Sequence, residues 1–376
     1  MSIEYVEIRN PNFQIAGICD EFKSIIWRVA YYGTGDFEIY APVSAVNLAL
    51  LIEGNYVTRP NDDEIGLIES VEYSFDVFNG RMITAAGRFA KCILDRRIIY
   101  RMFWNTVSTT VISGNVETAA RAIIEQNAID CSFDANRNIS VLALGAHSGS
   151  TQTIVDAAGN ATSQQIELEN LLTWTDEFLK QYKIGAHVRL DSANGLLIYT
   201  CYEGKNRAVD NTDGNDPVIF SQDFENLTSS DFKTDATNYK NAAIVAGEGD
   251  GLARFCAAVI PTETGIERRE LFVDGSKTAK KYIDSGGTER TMTDSQYQEQ
   301  LIALGAQKLA DLPVVDTFNG EINLNSLTFE YKRNYNLGDI ITVQDADTKL
   351  YKNTRIVELI EVQDEKGYSI TGKYES

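Results

Sequence analysis

The 376-residue chain has two imidazoles and five thiols for chemistry that needs such groups. His147 lies in GAHSGS and His187 in GAHVRL, and no GxSxG elbow accompanies either. The alternation in AHVRLD makes His187 a strand residue with a structural role. HExxH and related zinc spacings are absent from the sequence. Cys19, Cys92, Cys131, Cys201 and Cys256 lie at least 39 residues apart and are odd in number, which gives neither a CxxC half-site nor a disulfide framework. They read as small buried apolar residues in a reducing compartment. AGEGDGLAR (246–254) is glycine-dense but lacks the GK[ST] of a phosphate loop, and its carboxylates repel phosphate. A turn or bulge between strands explains it. DNTDGNDP (210–217) is acidic without EF-hand spacing, and turn chemistry accounts for its residues. Among 54 carboxylates nothing singles out a glycosidase pair. The expectation is no catalytic residue, no cofactor and no metal site.

Two arginine pairs remain, Arg96–Arg97 after Asp95, and Arg268–Arg269 between Glu267 and Glu270. Arginine makes bidentate pairs with carboxylates and is enriched at protein interfaces. One reading makes at least one pair a domain or subunit contact. The other makes them solvated surface pairs worth ~0–1 kcal/mol. Nucleic acid is the least favoured partner, because 54 acidic against 34 basic residues leave a formal charge of −20. Such a surface suits solubility, and equally a wall that must not hold DNA.

The elements around these residues mix strands and helices. Phe37–Tyr40 reads as a strand. Val71, Tyr73, Phe75 and Val77 alternate with polar residues ahead of Asn79-Gly80, which predicts a hairpin on a tight Asn-Gly turn. Phe89, Cys92 and Ile93 predict a short helix ending near Arg96 and Arg97. Asn115 is an N-cap before the stripe Val116, Ala119, Ala120, Ile123, Ile124. A strand follows at ISVLAL (139–144), then a helix with Leu171, Trp174, Phe178, Leu179 and Tyr182 on one face and Gly185 as its stop. AHVRLD and GLLIYTCY predict a second hairpin around 192–195. PVIFS, NAAIVAGEG, FCAAVI and RRELFVD read as strands. A helix over 295–312 has Ser295 and Gln298 at capping-box spacing and stops at Pro313. INLNSLTFEY, DIITVQD, TRIVELIEVQ and YSITGKY close the chain as strands. No apolar run reaches membrane-span length. The acidic start MSIEYVEIRN does not read as a signal peptide, so synthesis in a cytoplasm is expected.

Six stretches in order resemble the central hub proteins of long-tailed phage tail tips, the baseplate hub or tail-associated family. They are GRFAKCILDRRII (87–99), VETAARAIIEQN (116–127), PVIFSQDFENL (217–227), NAAIVAGEG (241–249), GIERRE (265–270) and NLGDIITV (336–343). The resemblance implies an α+β fold with discontinuous barrel-like β domains forming a tail-tube-like ring, and helix-containing α/β domains between them. The implied division is an N-terminal β domain (1–95), a mixed α/β domain (96–205), a second β-rich domain with one helix (206–316), and C-terminal strands (317–376) packing on the first domain. It further implies a non-enzymatic homotrimer in the virion tail tip. Its partners would be the distal tail protein, the tape-measure protein and receptor-binding or fibre proteins, with DNA passing through unbound. Relatives often carry a C-terminal extension for receptor contact or cell-wall degradation. With the last strand ending near Ser376, those activities are expected in a separate partner. A cell-wall glycosidase or peptidase, or a receptor-binding module of the same tail tip, is the alternative. Arg96, Arg97, Arg268 and Arg269 become interface candidates.

Overall fold

The structure is a computed structural model and describes residues 3–375 apart from 61, 101–109, 156–158, 167, 284–288, 324–327 and 346–349. The chain begins with β1 (Val6–Arg9), β2 (Ile15–Cys19), β3 (Ser24–Ala30), β4 (Asp36–Pro42), α1 (Ala45–Leu50), β5 (Tyr56–Thr58), β6 (Gly66–Asp76) and β7 (Gly80–Phe89). Alternation does the sorting here: β3 buries Ile25, Trp27 and Val29, and β4 buries Phe37, Ile39 and Ala41. The β6–β7 hairpin forms as expected, but its turn differs. Three residues, Val77 to Asn79, link the strands, and Gly80 alone takes a positive φ, +77°. The Asp76 carboxylate accepts the Phe78 and Asn79 amides, both at 2.7 Å, and this local turn displaces the two-residue Asn-Gly form.

A single 3₁₀ helix spans Ala90–Arg96, where the short helix was expected. Then come β8 (Thr110–Ser113), α2 (Val116–Ile124), β9 (Leu142–Leu144), β10 (Ser163–Ile166), α3 (Leu171–Gln181), β11 (Gly185–Asp191) and β12 (Leu196–Tyr202). Asn115 caps α2 through the Thr118 amide, and the whole predicted stripe is buried. The α3 face packs on it in a second core, with Trp174 and Phe178 stacked at 4.8 Å. Two details depart from the pattern. Only Leu142–Leu144 of ISVLAL is strand. Lys183, not Gly185, ends α3: it adopts φ +57° while the Ile184 amide donates to the Leu179 carbonyl at 3.0 Å, and Gly185 already belongs to β11.

The remainder holds β13 (Ile219–Ser221), β14 (Leu227–Asp235), β15 (Ala242–Ala246), β16 (Cys256–Val259), β17 (Glu270–Asp274), β18 (Lys281–Ile283), β19 (Glu289–Thr291), α4 (Asp294–Ala310), β20 (Val315–Ile322), β21 (Ile340–Asp345), β22 (Leu350–Asp364) and β23 (Gly367–Glu375). A third, small core sits where α4 covers the β16-β15-β17 sheet. α4 starts earlier than the sequence suggests, because Thr293 and Gln296 form the capping box. The strand expected at INLNSLTFEY lies one element earlier, as β20. Residues 324–327 fall outside the described set, and 328–331 are not strand apart from an isolated bridge at Tyr331.

One sheet joins both ends of the chain. Its order is β14-β20-β23-β22-β3-β4-β7-β6-β5-β1-β2, with β21 also on β22 and β13 on β21. The long β22 is the seam: Glu358–Gln363 pair with β3, and Leu350–Arg355 pair with β21. Both groups of strands share one core, from Trp27, Phe37 and Phe89 to Phe220, Tyr335 and Tyr374. The fold class is mixed, as expected, but among the described residues no barrel closes. Closure needs the two sheet edges to meet in register, and here β14 and β2 remain separate ends.

Candidate assembly surfaces and the buried ionic hub

The groups with catalytic potential are structural in their surroundings. His187 stacks on Tyr202 at 4.7 Å, and burial pushes its pKa down to about 3, so it is a neutral packing ring. His147 is exposed, 3.7 Å from the Glu117 carboxylate. Cys19, Cys92, Cys131 and Cys201 are buried, but Cys256 is exposed, which corrects the expectation of five buried thiols. It opens β16 at an edge of the small sheet, where its side chain faces away from α4. Burial pushes the Cys19 thiol up to about 11 and those of Cys92 and Cys201 to about 12, so these three are protonated at neutral pH. Among the described residues no cluster of His, Cys, Asp or Glu has the geometry of a metal site.

Arg97 and Arg269 reach groups other than the carboxylates beside them in sequence, whereas Arg268 does not. Asp95 is taken by Arg88 (3.0 Å) and by the Asn170 amide, not by Arg96 or Arg97. Arg97 donates to the Arg137 carbonyl at 2.7 Å, and Arg96 is exposed. Arg268 does pair with Glu270 at 2.8 Å. Arg269 donates to the Ala236 carbonyl at 2.6 Å and lies over the Tyr239 ring. Arg97 and Arg269 therefore brace loops of their own chain. The structure places the two pairs on different units, one beside the middle core and one on the small sheet.

The GRFAKCILDRR segment is a clamp. A Cβ on Gly87 would lie 1.8 Å from the Leu67 carbonyl oxygen, so only glycine allows β7 to pass β6 there. Arg88 grips Glu69 through two bonds of 2.8 Å. Lys91 is buried and donates to the Gly33 carbonyl and to Asp176 of α3, tying the large sheet to the middle core.

A buried ionic hub escaped the sequence analysis because its central pair, Arg59 and Glu361, is 302 residues apart. Arg59 donates to Asp62 and, through both terminal nitrogens, to Glu361 on β22, and its guanidinium lies 4.9 Å over the Trp27 ring. Tyr368 also donates to Glu361, and Lys332 stands 3.2 Å from Asp62. Burial alone would raise the Asp62 pKa, but Arg59 and Lys332 outweigh it and hold the carboxyl below its ordinary value. Glu64 nearby is the reverse case. Its carboxyl is surrounded by protein although part of the residue reaches the surface, and burial with Asp62 alongside pushes it up to about 7. A cavity of about 390 Å³ opens beside the hub, lined by Tyr5, Arg59, Tyr331 and Tyr368 among others.

Outside, large apolar side chains lie uncovered at several places, the β6–β7 tip, β2 and α1, and the small sheet among them. The β6–β7 tip presents Tyr73, Phe75, Val77 and Phe78, from 59% to 98% exposed. Ile15 and Ile18 are exposed on the face of β2 shared with Glu7 and Arg9, and Val46, Leu48 and Ile52 are exposed in and after α1, which packs on the other face at Gly17 and Cys19. The small sheet shows Ile244 and Phe272, cross-strand partners on the face away from α4. Patches of this kind on a charged chain mark sites of association.

A family model for the siphovirus ReqiPepy6 Gp37-like protein matches residues 5–372. The chain belongs to this family. The fold is also that of phage tail proteins. The tail protein from Neisseria meningitidis MC58 superposes with a TM-score of 0.55 at 12% identity, covering 99% of this chain and 96% of that one. The 43 kDa tail protein of prophage MuSo2 from Shewanella oneidensis gives 0.54 at 12%, covering 99% and 98%. Prophage tail protein gp18 from Listeria monocytogenes EGD-e gives 0.50 at 12%, covering 98% and 94%. Among proteins of curated function, none matches. No helix among the described residues is long and apolar enough to cross a membrane.

Proposed function

We propose that this siphovirus tail protein is a non-enzymatic homotrimeric hub at the tail tip, closing the distal end of the tail tube and organising the parts around it. The observation that carries the reading is the end-to-end likeness: a family match over 5–372 and whole-chain superposition on tail proteins. The distal tail protein above and the tape-measure protein inside are its proposed neighbours, with receptor-binding or fibre proteins outside. The division into units 1–95, 96–205, 206–316 and 317–376 goes with this reading, the first and last meeting at the β22–β3 seam. Of the arginine candidates, Arg97 and Arg269 act by fixing loops within the subunit, while Arg96 and Arg268 face neighbours. The charge of −20 serves a channel wall that DNA slides past. Light scattering after size exclusion, with negative-stain images of the peak, tests the reading. A trimeric ring with a central hole is expected. A chain that stays monomeric with the distal tail protein present, yet binds or cuts cell wall, refutes it.

A further inference from the structure

The small sheet and α4 form an insertion in the large sheet. β14 and β20 pair from Leu227 opposite Ile322 to Asp235 opposite Val315, and β15 to β19 and α4 lie between them in sequence. The inserted unit has its own core around Val245, Tyr297 and Leu301, and none of its described residues enters the core of the large sheet or the middle core. Two segments connect it, 236–241 and 311–314, and they meet where the Lys240 amide donates to the Leu312 carbonyl at 3.1 Å. Arg269 binds the first segment to the unit through the Ala236 carbonyl and the Tyr239 ring, which leaves the ends of β14 and β20 as the bending points. A unit with its own core on two adjacent crossovers has the geometry of a hinged body.

The unit closes onto β8 and β10 of the middle core, α4 against β10 and β18 against β8. Polar side chains make most of this contact. Gln164 donates to the Gln307 amide oxygen at 2.7 Å, and Gln300 donates to the Ser163 carbonyl at 2.7 Å and to its hydroxyl at 2.9 Å. Lys308 and Glu177 stand 4.0 Å apart and are both part exposed, so their pair adds little. Val111 of β8 packs on the inserted core as the apolar part of the contact. Cavities open on both sides of Gln307, about 340 Å³ toward β10 and about 530 Å³ toward β21 and β22. Gln165 of β10, beside the smaller cavity, has both amide atoms buried without a partner among the described residues. Such an amide penalises the closed arrangement and regains hydrogen bonds when the surfaces part. A polar contact flanked by cavities permits relative motion, which a large shared apolar core would forbid.

We propose that the unit 242–310 swings as a rigid body about the ends of β14 and β20, away from β8 and β10, with Gln164, Gln300 and Gln307 as the latch that holds it closed. Every contact in the latch lies within one chain, so the inference stands apart from the hub reading.

Spin-label distances test it. In a Cys256→Ser background, which removes the exposed thiol, labels at Thr173→Cys on α3 and Glu299→Cys on α4 report the gap. Labels at Ile244→Cys and Glu299→Cys report the inside of the unit. Labelled chains are diluted with unlabelled ones, so that each distance is measured within one chain. Gln300→Ala with Gln307→Ala should populate a longer α3–α4 distance, shifting the closed-to-open ratio about tenfold through the loss of several neutral hydrogen bonds. The internal distance should not change. If the double variant keeps one short α3–α4 distance, the unit is fixed and the inference fails. It fails equally if the internal distance broadens, because the unit then unfolds instead of swinging. Neither result touches the hub reading, which the mass of the assembly decides.

Discussion

Arg59→Met should be among the most damaging single substitutions in this chain. The Arg59 side chain is 9% exposed, and the carboxylates it neutralises, Asp62 and Glu361, are 3% and 6% exposed. Methionine preserves much of the volume beside Trp27 but strands two charges in a poorly solvated interior. Lys332 still faces Asp62, yet it is 37% exposed and its pull is screened. Among the described residues, Glu361 is then left with the neutral Tyr368 hydroxyl as its donor. Removing one partner of a buried pair costs ~3–5 kcal/mol, and the lost cation–π contact belongs within that figure. Urea unfolding followed by tryptophan fluorescence reads it as a lower midpoint at unchanged slope. The pH dependence has a definite sign. In the unsubstituted chain Asp62 has a depressed pKa, so its contribution is present above the unfolded-state value and is lost as pH falls. In the variant the Asp62 carboxyl keeps its burial without Arg59 beside it and titrates upward, so its penalty is absent in acid and grows as pH rises. Only the second effect operates between pH 5 and pH 8, where it widens the gap between the proteins; the first acts below the ordinary Asp range. Adding Glu361→Gln to Arg59→Met should recover part of the loss. A deficit under about 1 kcal/mol at pH 8, or one equal at pH 5 and pH 8, would refute the reasoning.

Three further outcomes are expected. Glu64→Gln should leave stability unchanged at pH 4 and raise it at pH 8 by up to ~3 kcal/mol, because a folded pKa of about 7 favours the fold only below the unfolded value and that advantage is lost as pH rises; a stability gain equal at both pH values would contradict this. Gly87→Ala should abolish folding or cost more than ~3 kcal/mol, since the new Cβ meets the Leu67 carbonyl at 1.8 Å; circular dichroism and a melting curve decide. Asn115→Ala should cost ~1 kcal/mol through the lost Thr118 cap and leave any self-association unaltered; denaturation and light scattering on the same sample check both halves.

Local signals carried the helices and hairpins. Asn115 and a five-residue apolar stripe specify α2 because the cap and the 3.6 period are both written within one dozen residues. Asp191 to Gly195 and Asp76 to Gly80 mark their turns in the same way, although the Asp76 carboxylate decides the turn form. The resemblance was legible in segments such as GRFAKCILDRR, and the structure supplies the reasons for some of their residues: a strand crossing at Gly87 and a tie between cores at Lys91. Adjacency in sequence does not decide arginine partners: Arg268 does pair with Glu270, but Arg88 rather than Arg96 or Arg97 takes Asp95. The Arg59–Glu361 hub was invisible because no local rule links residues on either side of a β22–β3 seam.

Periodicity separates the two faces of a strand and says nothing about what covers either of them. The alternation Val71, Tyr73, Phe75, Val77 identifies an apolar face, and an apolar face is ordinarily assigned to a core. In this chain the core ends at Val71 and the pattern continues for three more alternate residues into solvent. Helix α1 mixes the two, burying Asn47 and Leu50 and leaving Val46 and Leu48 exposed. A face that continues past its core is not placed by periodicity alone, so Phe75→Asp with Phe78→Asp should leave the melting temperature unchanged, and a lower one would show that the tip is covered within the subunit.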